Sequence, residues 1–177
     1  LTGHLNPGQE NSLVLVVIKW SDASFVEDQD QWWMGGIFRS VELFAVPQVH
    51  LQDIRVQAVP DLERGDGGKL AISADVRFPG KPVKGSFVRL SIRDDEGNRL
   101  LPEAVQVEVQ AEDGNLAKER GRATWKHSLE SAKWWSDETP NLYYADIELI
   151  SPEGSQHTTV AFGFRQVESR DGCVWVN

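Results

Sequence analysis

Apolar and polar positions alternate in short bursts along most of this chain, and no window long enough to trust keeps a helical period. From His50 onward the bursts predict strands over residues 51–59, 69–78, 86–93, 103–110, 123–129, 142–150 and 156–164. The joints between them are rich in turn formers. Examples are Arg64-Gly65-Asp66-Gly67-Gly68, Pro79-Gly80-Lys81-Pro82, Asp94-Asp95-Glu96-Gly97-Asn98 and Ser151-Pro152-Glu153-Gly154. About seven strands over roughly 115 residues is the spacing of an immunoglobulin-like sandwich, so the expected class is all-β.

The first part of the chain reads differently. Leu13-Val14-Leu15-Val16-Val17-Ile18-Lys19 follows the turn signal Asn6-Pro7-Gly8 and predicts a strand buried on both faces. Strand character resumes over 36–46 and is stopped by Pro47. Two or three strands seldom hold together alone, so residues 1–46 are expected to belong to a larger sheet. The stretch from Leu129 to Ser136 suggests a short helical turn, and the tail from Gln166 to Asn177 leaves the sandwich rhythm for a further strand at Cys173-Val174-Trp175-Val176.

Charge and composition narrow the function. The 177 residues carry 18 Lys and Arg against 27 Asp and Glu, a net charge of -9, without a basic cluster long enough to follow a phosphate backbone. Nucleic acid and anionic membrane surfaces are therefore poor partners. The longest aliphatic run, 13–18, is far short of the roughly 20 residues of a membrane span. One cysteine, Cys173, allows no internal disulfide, and the chain has no Asn-x-Ser/Thr sequon, both of which suit a reducing cytoplasm; no signal-peptide pattern is seen. It opens on Leu1 and is expected to be cut from something longer.

The chemistry concentrates between Trp20 and Arg39, where twenty positions hold four acidic residues, three tryptophans and the pair Gly35-Gly36. Aromatic faces stack against sugar C–H groups and carboxylates accept from sugar hydroxyls, so this is the composition of a carbohydrate site. From the residues alone Asp22 reads first as a turn aspartate capping the loop after the strand, a common use of Asp, and second as a ligand for hydroxyls and a hard cation. Phe25 and Trp33 are candidates for stacking, whereas Trp20 and Trp32 are expected to be structural. The run Glu27-Asp28-Gln29-Asp30 offers carboxylates on one short loop. Glycoside hydrolysis by retention needs two carboxyl groups about 5 Å apart across the scissile bond, usually from separate elements, so catalysis is not assigned here.

Three motifs in order carry a resemblance. Trp20-Ser21-Asp22 with Glu27-Asp28-Gln29-Asp30, Trp32 and Gly36-Ile37-Phe38-Arg39 form the first. Trp135-Ser136 with Pro140-Asn141-Leu142-Tyr143 form the second, and Gly163-Phe164-Arg165 followed by Gln166-Val167-Glu168 the third. Together they resemble the family 2 glycoside hydrolases, most closely the large β-galactosidases. The resemblance implies that 1–46 end a sugar-binding jelly roll, that 47–165 form an immunoglobulin-like sandwich, and that 166–177 lead into a catalytic (β/α)8 barrel. It implies that Asp22 contacts the galactosyl unit near its 6-hydroxyl and helps bind sodium, that magnesium and both catalytic glutamates belong to the barrel, and that the full enzyme is a homo-oligomer acting on β-galactosides. The chain alone would then be inactive and hold no cofactor of its own.

Other family 2 activities, on glucuronides or mannosides, share this architecture, and a stand-alone carbohydrate-binding module is the reading from another class. His4, His50, His127 and His157 are too scattered for zinc. Arg64-Gly65-Asp66 reads as hairpin composition rather than an adhesion tripeptide, Cys173 as an apolar strand residue, and Trp134, Trp135, Tyr143 and Tyr144 as one end of the sandwich.

Overall fold

A computed structural model describes residues 1–22, 26, 36–111 and 119–176. Its contacts divide the chain into two units, Leu1–Phe44 and Ala45–Asn177.

In the first unit the Asn6-Pro7-Gly8 signal is a real turn. Gln9 N–H donates to Asn6 O at 3.2 Å, Asn6 N–H to Asn11 Oδ1 at 2.8 Å, and Gly8 takes a φ of 76°. The two strands expected in this unit are not formed among the described residues. Side chains from Leu13 to Ile18 are 50–83% exposed, and Phe38, Leu43 and Phe44 are exposed as well. An apolar run becomes a buried strand only when neighbouring strands take up its N–H and C=O groups and a second layer covers its faces, and the described residues of this unit supply neither.

The second unit is an antiparallel two-sheet sandwich. Strands β1 (His50–Pro60), β2 (Gly68–Arg77), β3 (Phe87–Asp94), β4 (Val105–Glu108), β5 (Gln110–Ala111), β6 (Arg120–Leu129), β7 (Tyr143–Ser151) and β8 (Gly154–Phe162) form sheets ordered β1-β2-β6-β5 and β4-β3-β7-β8. A separate hairpin follows, β9 (Val167–Arg170) with β10 (Cys173–Val176).

The period of two makes the core. Leu70, Ile72, Ala74 and Val76 of β2, Val88, Leu90 and Ile92 of β3, and Ala145, Ile147 and Leu149 of β7 are all at most 2% exposed, while the residues between them face outward. Between Asp94 and Asn98 the polar run closes a hairpin. Asn98 N–H donates to Asp94 Oδ1 at 2.8 Å, and Asp94 N–H donates back to Asn98 O at 2.9 Å.

Two expectations need correction. Residues 103–110 read as one strand because Val105, Val107 and Val109 keep the alternation, but the chain changes sheet there. β4 pairs with β3 in one sheet and β5 with β6 in the other. Val109, buried between them, donates its N–H to Ser86 O at 2.9 Å. The chain can pass this closely because residue 121 is glycine; a Cβ there would lie 2.5 Å from Val109 Cγ1.

The second correction concerns residues 129–136, which form no helical turn. Their N–H groups are claimed by distant partners instead of carbonyls four residues back. Ala132 N–H goes to Asp66 Oδ1, Lys133 N–H to the Tyr143 hydroxyl at 2.8 Å, and Trp135 N–H to Phe164 O at 2.9 Å.

Candidate functional site

In the first unit the structure places Asp22 in an exposed position. The neighbouring Trp20, expected to be structural, is 51% exposed, with the Lys19 ammonium 5.1 Å from its ring centroid. Phe25, Trp32, Trp33 and the run from Glu27 to Asp30 lie outside the described residues. Of the carbohydrate-type segment, the structure therefore locates the carboxylate but not the proposed stacking rings. Hard cations such as calcium take six to eight oxygens. No group of three or more His, Cys, Asp or Glu that could hold a metal occurs among the described residues.

In the second unit the structure brings together motifs that lie far apart in sequence. Phe164, fully buried, meets Tyr143 edge-on at 5.4 Å and Phe162 at 5.9 Å between ring centroids. Such pairs prefer this T-shaped geometry because the positive ring edge faces the negative ring face. Arg165 places its guanidinium 5.0 Å above the Trp135 ring, and its N–H donates to Ala58 O at 3.2 Å. Ser136 Oγ accepts the Thr139 N–H at 3.0 Å, and Asn141 Nδ2 donates to Trp134 O at 2.8 Å. The Trp135-Ser136, Pro140-Asn141 and Gly163-Phe164-Arg165 motifs thus form one end of the sandwich, the end from which the chain leaves for β9. There they pack against one another and satisfy backbone groups.

Sequence reasoning missed a carboxylate at this end. Asp66 accepts from Gly67 N–H at 2.6 Å, Ala132 N–H at 3.2 Å and the Ser131 hydroxyl at 3.2 Å. Beside it, the Trp134 indole N–H donates to Gly67 O at 2.7 Å. Gly67 has a φ of +75°, and a Cβ there would fall 2.2 Å from Leu129 O, so the turn requires glycine on both counts. The Arg-Gly-Asp run is therefore a clamp that holds the 129–134 segment to the β1–β2 turn. Composition hinted at the turn; the partners, 65 and 66 residues away, left no local signal.

The Ala132 and Gly67 N–H groups hold the Asp66 carboxyl below its ordinary value of 3.8. The Arg122 guanidinium, against the pull of burial, does the same for Asp75. A carboxyl depressed in the folded state contributes stability above pH 3.8 and loses it as pH falls through the lower folded value. The sandwich is expected to hold a constant melting temperature from neutral pH down to about pH 5 and then to fall steeply. Asp66→Asn should melt lower at neutral pH and show a shallower acid decline. Superimposable pH profiles for the two proteins, followed by circular dichroism, would remove the clamp.

Comparison with known proteins agrees with this arrangement. Residues 49–165 match the family described as Glycosyl hydrolases family 2, and residues 1–47 match its sugar binding domain. A β-galactosidase of Kluyveromyces lactis is 30% identical over 95% of this chain and 17% of its own length. One from Priestia megaterium is 33% identical over 100% of the chain and 17% of its own length. One from Aeromonas hydrophila is 37% identical over 96% of the chain and 16% of its own length. The chain thus spans about a sixth of the length of these relatives. Among solved structures, a Bacteroides uniformis β-glucuronidase gives a TM-score of 0.60 at 22% identity over 85% of this chain and 18% of that one. Bacteroides uniformis β-glucuronidase 3 gives 0.59 at 26% over 80% and 16%. With its sandwich matched from residue 49 to 165 and sequence relatives along nearly its whole length, this chain belongs to glycosyl hydrolase family 2.

Proposed function

We propose that the chain is the accessory portion of a β-galactosidase that hydrolyses terminal β-D-galactosides. The observation that carries this reading is the agreement with relatives named β-galactosidase at 30–37% identity across 95–100% of the chain. In the intact protein the sandwich would brace a following catalytic barrel, with its motif-bearing end fixing the direction in which the chain departs. Asp22, exposed and on a segment of sugar-site composition, would reach the substrate and orient the galactosyl unit through its 6-hydroxyl. The catalytic carboxyl groups would come from the barrel, because Glu27, Asp28 and Asp30 share one short segment and cannot flank a bond from two sides. The sandwich and its lead-in would therefore be inactive by themselves. Sodium and magnesium, assembly into a homo-oligomer and a cytoplasmic setting complete the reading.

Hydrolysis by glucuronidases is the second reading, and it has the structural neighbours at TM-scores of 0.59 and 0.60 in its favour. Their identities of 26% and 22% are lower than those of the β-galactosidases. Comparing aryl β-galactoside, β-glucuronide and β-mannoside with the intact protein separates the activities. The expected result is a kcat/KM for the galactoside at least about 10²-fold above the others, in keeping with a site built to bind a particular hydroxyl. Preference for the glucuronide would overturn the proposal.

A further inference from the structure

The two outer faces of the sandwich differ in charge. On the β4-β3-β7-β8 sheet, cations are matched by carboxylates: Arg89 meets Glu148 at 3.0 Å and Arg93 meets Asp146 at 3.0 Å. The outward positions of β1, β2 and β6 are different. They and the residues flanking them carry Arg55, Lys69, Arg77, Arg120, Arg122 and Lys126 against Asp53, Asp75 and Glu119. The chain as a whole is at -9, so this surplus of positive charge opposes its overall sign.

Among the described residues, the three carboxylates Asp53, Asp75 and Glu119 are already engaged, while Glu108 lies at the β5 edge beside Arg122, away from Lys69 and Lys126. Asp75 takes two bonds from Arg122, at 2.5 and 3.0 Å, and lies 3.7 Å from Arg55. Glu119 pairs with Arg77 at 2.5 Å, and Asp53 with Arg55 at 3.0 Å. Lys69 and Lys126 have no ion pair among the described residues, and both are exposed. They stand diagonally on adjacent strands, since Lys69 faces Ser128 and Ala71 faces Lys126 in the register. The small Ala71 makes the floor of an open trough of about 510 Å³, with Gln57 and Val59 along its β1 side.

We propose that this face docks a carboxylate-rich surface of another polypeptide, with Lys69 and Lys126 as the charges that receive it. The trough favours a protein partner over a polyphosphate or nucleic acid. In the central strand β2 the backbone is committed to ladders on both sides, so the trough offers long side chains and no ring of N–H groups to enclose a phosphate. A flat sheet face with Gln57 and Ser128 as hydrogen-bonding neighbours suits a broad polar contact instead. This inference is independent of the hydrolytic reading above.

The test uses the full chain and two fluorescent probes, poly-glutamate and polyphosphate of matched charge, followed by anisotropy across a salt series. The wild-type chain is expected to bind poly-glutamate more tightly than polyphosphate and to lose affinity as salt rises. Lys69→Glu with Lys126→Glu should weaken poly-glutamate binding by roughly 10-fold or more. Lys84→Glu, an exposed loop change of the same sign, should move it by less than about 2-fold. Three results would overturn the proposal: no salt-dependent binding, equal losses for the Lys84 and Lys69/Lys126 variants, or tighter binding of polyphosphate. Circular dichroism of each variant separates loss of binding from loss of fold.

Discussion

Asp22→Asn in the intact protein is expected to lower turnover of an aryl β-galactoside by about 10²-fold while leaving thermal unfolding unchanged. The substitution keeps the shape of the side chain. It removes the negative charge and turns one acceptor oxygen into an NH2 donor, so a sugar hydroxyl that donates to the carboxylate keeps only a weaker, neutral acceptor at Oδ1 and meets a donor at the other position. Orientation is where the cost falls, because a displacement of about 1 Å at the reacting centre can remove two orders of magnitude in rate. Stability should not follow, since Asp22 is exposed and exposed substitutions outside special features usually stay within about ±0.5 kcal/mol. Near-normal hydrolysis by this variant would exclude a role in positioning substrate.

Phe164→Ala is expected to have the opposite signature: a large loss of stability, about 3–5 kcal/mol. The ring is completely buried, sits edge-on to Tyr143 and Phe162, and lies close enough to Gly68 that a Cβ there would come within 2.7 Å of its Cδ1. The neighbours cannot collapse into the space because Trp135 N–H is held on Phe164 O and Arg165 N–H on Ala58 O. A domain stable by about 5–15 kcal/mol loses a large share of that margin. Urea denaturation of the chain should show a lower midpoint with an unchanged slope. A loss under about 1 kcal/mol would mean that this end of the sandwich is not packed as described.

The sandwich was legible because its signal is local. A strand such as β2, with Leu70, Ile72, Ala74 and Val76 in and Lys69, Ala71, Ser73 and Asp75 out, writes its burial into the alternation itself. Where position depends on distant partners, the pattern was silent or misleading. The alternation through Val109 continues unbroken while the chain crosses between sheets. Residues 131–135 were open to a helical reading because the groups that extend them, Asp66, Tyr143 and Phe164, come from three other parts of the chain. The aliphatic run 13–18 carries the composition of a buried strand but meets no partner strand among the described residues of its unit. For the candidate site, Asp22 could be singled out by its place in a motif, yet residue order says nothing of whether Phe25 or Trp33 lies beside it. Asp66 had no such motif and emerged only from geometry.

The measurement that bears most directly on the central claim compares an aryl β-galactoside with its 6-deoxy analogue, using the intact wild-type protein and Asp22→Asn. If Asp22 holds the galactosyl 6-hydroxyl, wild type should favour the galactoside in kcat/KM by at least roughly 10-fold, and the variant should discriminate by no more than about 2-fold. Equal discrimination by both proteins would show that the 6-hydroxyl is held elsewhere and would contradict the role assigned to Asp22.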